Sequence, residues 1–188
     1  MEFVEPFRDL KQISTIKNFL RNNSARDFLL FVVGINTGLK INELLELKVS
    51  DVLDGDGNIK SFYLAKSDDL EQGRDIYLNA KVKSALNDYL LHAKLTTTDY
   101  LFLSTKNNNA ISRQQAHRII HDAVNSLDIK GKFGAGSMRK TFGFHAYKKG
   151  VSISIIQKYF HHATSAETYK YLGITKDEMN PPIIDVNL

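Results

Sequence analysis

Between Ser24 and Gly38 the chain reads ARDFLLFVVGINT, apolar on nearly every side. A helix of that kind has no face to give to water, so other elements must surround it. Ser24 can cap its first turn and Gly38 can end it. The apolar run Phe28 to Ile35 is far shorter than the roughly 20 residues a membrane span needs. Its burial must therefore come from a protein core. With 188 residues, of which 43% are hydrophobic, the chain has enough apolar material for one such core.

The neighbouring segments supply the wrapping. Helical spacing runs from Asp9 to Arg21 through Leu10, Ile13, Ile16 and Leu20, and Ile41 to Leu47 reads as a short helix. The period then changes. Asp54-Gly55-Asp56-Gly57-Asn58 is a dense turn signal between Val49–Leu53 and the strand-like IKSFYLAK, and a second turn, SDDLEQG, leads into RDIYL. This predicts a small antiparallel sheet of two or three strands. Helices resume with Asn79 capping AKVKSALNDYLLHA, Ser112 capping RQQAHRIIHDAVNSL, and Ser137 capping MRKTFGFHAYKK up to Gly150. Ser152 opens SISIIQKYF, and Thr164 with Glu167 three residues on predicts a capping box for SAETYKYL. The fold class expected is mostly α with one small antiparallel β-sheet (α+β). One domain spans residues 1–175, followed by an irregular tail over 176–188.

Charge and composition narrow the function classes. Net charge is only +4, yet no acidic residue lies between Asp128 and Glu167, a stretch holding Lys130, Lys132, Arg139, Lys140, Lys148, Lys149 and Lys158. A solvated helical face would look the same, but the segment could also meet a polyanion. With no cysteine there is no disulfide framework and no thiolate chemistry. The start, MEFVEPFRDL, is acidic and mixed rather than signal-like, so a cytoplasmic protein without membrane contact is expected. His117 and His121 lie four apart on one helix, but no glutamate follows His117 and no third ligand is evident, so no metal site is expected.

Two strings carry a resemblance. TGLKINELLEL (Thr37 to Leu47) is similar to the TGLR-x-x-E-L-x-x-L signature of the tyrosine recombinases, the phage-integrase family. SMRKTFGFHAYKKGVSISIIQKYFHHATSAETYKYLGI (Ser137 to Ile174) resembles the family's second signature, with its arginine helix, histidine turn and T-x-x-Y. The match covers most of the chain and is closest to short members that lack a separate amino-terminal core-binding domain. It implies the family's catalytic-domain fold and its reaction, in which a tyrosine hydroxyl attacks a DNA phosphodiester to give a 3′-phosphotyrosine. The resemblance makes Tyr171 the nucleophile, Arg139 and His162 phosphate ligands, and Lys66 the candidate acid for the leaving 5′-oxygen. Tyr147, Tyr159 and Tyr169 are also available, and only the register to His162 and Thr168 selects Tyr171.

Two positions depart from the pattern. Lys40 stands where the family has an arginine, and lysine keeps the charge without the bidentate fork. Gly136 stands where the family has a histidine or lysine able to take the tyrosine proton. Losing one transition-state donor typically costs about 10²–10³ in rate, and losing a general base about 10²–10⁴. Two readings follow: a site-specific recombinase slowed by Lys40 and Gly136, or a non-catalytic DNA-binding relative acting as accessory or competitor. Either implies double-stranded DNA as partner, with Lys132, Lys140, Lys148 and Lys149 as DNA contacts. Neither calls for a cofactor, and the family's strand exchange implies a homotetramer on DNA, with the tail docking on a neighbour.

Overall fold

The computed structural model describes residues 4–67 and 70–179, leaving out the side chains of residues 66–72. The order is α1 (Leu10–Asn23), α2 (Ala25–Thr37), α3 (Ile41–Leu45), α4 (Val49–Val52), β1 (Phe62–Ser67), β2 (Leu70–Tyr77), α5 (Ala80–Leu90), α6 (Arg113–Ser126), α7 (Ala135–Lys148), α8 (Ile153–Phe160) and α9 (Ser165–Leu172). A 3-10 turn, Lys176–Glu178, follows. No helix among the described residues is long and apolar enough to cross a membrane.

Helix α2 is the axis of the molecule, and its Phe28 to Gly34 stretch is wholly buried. Helices α1, α3, α5 and α7 pack around it. Ser24 caps it by accepting from the Asp27 N–H, and Gly38 ends it at φ 62°. A side chain at Gly38 would be strained there and would also strike the Phe142 ring, 2.3 Å from an added Cβ. A second, smaller core joins α7, α8 and α9 through Phe144, Tyr147, Ile156, Phe160, Leu172 and Ile174. Gly143 makes that junction possible, because a Cβ on it would lie 2.6 Å from Leu172 and 2.7 Å from Phe160.

The first described residues strap this smaller core to the rest. The Phe7 N–H donates to Thr141 Oγ1 at 2.8 Å, and His145 Nε2 lies 2.8 Å from the Phe7 carbonyl. Phe7 itself is buried and stacks on Phe133 at 4.4 Å. Arg8 donates to the Gly173 carbonyl at the end of α9 and pairs with Glu178 at 2.8 Å.

Several expectations need correction. Val49–Val52 forms a helical turn rather than a strand, the sheet among the described residues has two strands, and Leu53 meets Ile59 as an isolated bridge. The second predicted turn is mostly strand: β2 starts at Leu70, and Ala65 pairs with Arg74 across the hairpin. Ser137 does not cap α7 from outside. The helix starts at Ala135, and Ser137 sits inside its first turn, where Oγ accepts from the Gly134 N–H at 3.1 Å. The Thr164 cap forms, but Glu167 returns its carboxylate to the Ala163 N–H at 2.8 Å, one residue before the position a capping box requires. Of the predicted tail, residues 180–188 lie outside the described residues.

Replacing Gly143 by valine should lower the urea midpoint without changing the slope. The expected loss is about 1–3 kcal/mol from overpacking between α7, α8 and α9.

Candidate active site

Arg139 lies in the second turn of α7 and is 8% exposed. Its guanidinium donates to the Gly38 carbonyl and, at 3.3 Å, to the Phe160 carbonyl. These carbonyls lie at the carboxyl ends of α2 and α8, where helix dipoles are negative. The Phe160 ring lies 4.2 Å beneath the guanidinium carbon. Burial pulls the Arg139 pKa down and Tyr171 pulls it back, but a guanidinium stays charged in either case.

Tyr171 stands on α9, with its ring against Phe160 at 5.6 Å and against His162 at 4.9 Å, 66° between the latter planes. Lys140 Nζ sits 4.9 Å from the same ring. Burial raises the phenol pKa, while the charge of Arg139 and a hydrogen bond from it act in the opposite direction. The resting phenol is therefore protonated at neutral pH and surrounded by groups that favour its anion.

His162 lies in the turn between α8 and α9, its N–H bonded to the Gln157 carbonyl at 3.0 Å. Its Nδ1 is 3.0 Å from Thr168 Oγ1. Desolvation lowers the imidazole pKa, Glu167 opposes that, and Arg139 and His161 reinforce it. His161 occupies the left-handed region at φ 58° as the C-cap of α8. That conformation costs a histidine about 1–2 kcal/mol that a glycine would not incur.

A cleft of about 340 Å³ brings the remaining pieces together, lined by Lys40, Asn42, Arg113, Gly136, Arg139 and Tyr171 among others. Lys40 caps α3 through its backbone, donating to Glu43 Oε2 at 2.7 Å. Gly136 is exposed, and a Cβ there would meet only Val4, at 3.1 Å. Of the predicted residues, Lys40, Arg139 and Tyr171 share the cleft, and His162 joins them through the Tyr171 ring. Lys66 stands in β1, and its side chain lies outside the described residues. Lys140 is buried beside Tyr171, whereas Lys132, Lys148 and Lys149 are exposed, with Lys148 3.9 Å from Glu178. His117 and His121 stack at 6.0 Å on the exposed face of α6.

Sequence reasoning missed two features. Arg113, in the first turn of α6, lines the cleft; no motif marks it. Arg74 of β2 pairs with Glu43 at 2.6 Å, both side chains about nine-tenths buried, and donates to the Tyr159 carbonyl at 2.8 Å. It thereby ties the hairpin to the cap of α3 and to the end of α8. Both residues are visible, in RDIYL and in TGLKINEL, but nothing in their spacing marks them as a pair. Lys40, Arg74 and Arg139 all push the His161 pKa down, after burial, and Glu43 pushes it up. The site is thus cationic with an internal carboxylate that fixes two of its parts.

Comparison with known proteins follows the same lines. The phage integrase family model matches residues 7–178. A probable integrase/recombinase of Bacillus subtilis (strain 168), YoeC, is 33% identical over 177 residues, 94% of this chain and 93% of that protein. The tyrosine recombinase XerA of Pyrococcus furiosus is 23% identical over 180 residues, but the aligned part is 60% of its length. Among solved structures, a XerA recombinase matches with a TM-score of 0.75 at 23% identity, covering 94% of this chain and 61% of that one. The XerH site-specific recombinase bound to difH substrate, in a pre-cleavage complex, matches with a TM-score of 0.72 at 22% identity, over 94% and 52%. The chain therefore spans nearly all of the Bacillus relative but little more than half of the others, and the structural likenesses establish a shared catalytic-domain fold.

Arg74→Met should cost about 3–5 kcal/mol of stability, because it strands the buried Glu43 carboxylate. Adding Glu43→Gln should recover a large part of that loss, and a double-mutant cycle in urea measures the coupling.

Proposed function

The chain belongs to the phage integrase family, and on that premise we propose that it cuts and rejoins DNA strands through Tyr171. In this reading the phenol oxygen attacks a backbone phosphorus in line, the P–O5′ bond breaks, and a 3′-phosphotyrosine and a free 5′-hydroxyl result. A phosphoryl transfer of this kind needs positive charge around the equatorial oxygens. Arg139 offers a planar fork for two of them, and Lys40 adds a point charge from the same cleft. Lys66 is the candidate donor of a proton to the 5′-oxygen. The observation that supports this best is the convergence of Lys40, Arg139 and Tyr171 on one cleft, although 131 positions separate the first from the last.

Double-stranded DNA is the partner this reading requires, and the exposed Lys132, Lys148 and Lys149 are candidates for backbone contacts. Strand exchange between two duplexes would require a homotetramer. A second reading, a DNA-binding relative without turnover, is favoured by Lys40 and Gly136. Both readings predict binding that weakens steeply with salt. They part on covalent chemistry.

Incubation with a nicked suicide duplex should give a protein–DNA adduct on a denaturing gel, absent from Tyr171→Phe. Lys40→Arg should raise the rate of adduct formation by about 10²-fold. Salt-dependent binding with no adduct from the unmodified protein would leave the non-catalytic reading standing instead.

A further inference from the structure

The glycine at position 136 leaves a question of proton balance. Forming the Tyr171 O–P bond releases the phenol proton, and glycine cannot accept it. Burial raises the Tyr171 pKa, so the proton is present at neutral pH and must go somewhere. The cleft's other near groups, Lys40, Arg113 and Arg139, are cations with no lone pair to offer.

His162 is the neighbour that could take it, and its hydrogen bonds indicate which ring nitrogen is free. Thr168 is fully buried and has a single hydroxyl proton. Its Oγ1 donates to the Thr164 carbonyl four residues back, at 3.2 Å, a usual arrangement for threonine within a helix. With that proton committed, Oγ1 can only accept from His162 Nδ1, 3.0 Å away. The imidazole is then the Nδ1–H tautomer, and Nε2 carries an open lone pair on a ring packed 4.9 Å from the Tyr171 ring.

We infer that His162 takes the Tyr171 proton on Nε2 in this chain, and that Thr168 is the positioning residue that fixes the tautomer. This rests on the recombinase reading above. The step balances: the phenol O–H bond breaks as the O–P bond forms, Nε2 gains the proton directly or through one water, and the 5′-oxygen leaves with a proton of separate origin. The role differs from that of a phosphate hydrogen-bond donor, which would need a proton on Nε2 instead.

The groups around His162 favour the neutral ring. Arg139 faces it from α7 and His161 adjoins it, both lowering its pKa along with burial, while Glu167 from α9 opposes them and Tyr171 covers one side. A base must be unprotonated. Activity is therefore full above the His162 pKa and lost as pH falls through it, with the fall below the ordinary histidine value of about 6.5.

The test has two arms. The first follows the rate of adduct formation on the nicked duplex from acid to neutral pH. The expected profile falls toward acid, and Thr168→Val slows the reaction between about 10- and 10⁴-fold while Thr168→Ser retains it. A rate that climbs as pH falls would mean that an imidazolium donor is what matters, and would overturn the inference while leaving the recombinase reading intact. The second arm reads the ring nitrogens of the unmodified protein by ¹⁵N–¹H NMR, with Nδ1–H expected. An Nε2–H tautomer overturns the inference without any assay. No adduct at any pH, by contrast, defeats the recombinase reading and the role of His162 together.

Discussion

A buried guanidinium holds the candidate site together. Arg139 could not remain inside the molecule without partners, since an unpaired buried charge costs several kcal/mol. Its partners are the carbonyls that close α2 and α8 and the face of Phe160. Those contacts fix the distance between the large core around α2 and the small core that carries Tyr171. The cation is thus both a fastener and a charge available to the cleft, and the same desolvation that makes it costly strengthens its field on the neighbouring phenol.

The rest of the fold serves that junction. Glycines at 38 and 143 give room for Phe142 and for the α8–α9 pair. Arg74 and Glu43 bind the hairpin to the cap of α3, so the backbone of Lys40 is held by the same pair that holds the end of α8. Phe7 and Arg8 strap α7 and the end of α9. The nucleophile candidate therefore sits on a short helix whose carboxyl end is tied to the distant Arg8 and whose amino end is held to Gln157 of α8 through Ala163 and Ser165. A helix of eight residues would not hold a fixed orientation by its own hydrogen bonds.

Much of this was legible from the residues, for physical reasons that can be named. The all-apolar segment after Ser24 had to be central, and it is. Caps at Ser24, Asn79 and Ser112 formed because a side-chain oxygen next to a helical period has one obvious use. Boundaries failed where two local solutions compete. Val49–Val52 has β-branched residues suited to a strand, yet the Asp51 carboxylate caps the Lys48 N–H and closes a helical turn instead. Ser137 is an equally good cap from outside or from the first turn, and only Gly134 in extended backbone decides between them. Lys40, Arg139, His162 and Tyr171 were legible as candidates through motif register, and the fold brings them together. Arg113 and the Arg74–Glu43 pair were not, because their significance lies in tertiary proximity, which no local spacing encodes.

The central claim is that Arg139 and Lys40 hold a DNA phosphate in front of Tyr171. A crystal structure of the protein with a duplex bearing its target phosphodiester tests it most directly. The account predicts a phosphate oxygen about 2.7–2.9 Å from the Arg139 guanidinium nitrogens, with the Tyr171 oxygen in line with the P–O5′ bond. DNA bound with its backbone elsewhere and the Arg139 cleft empty of phosphate would contradict it.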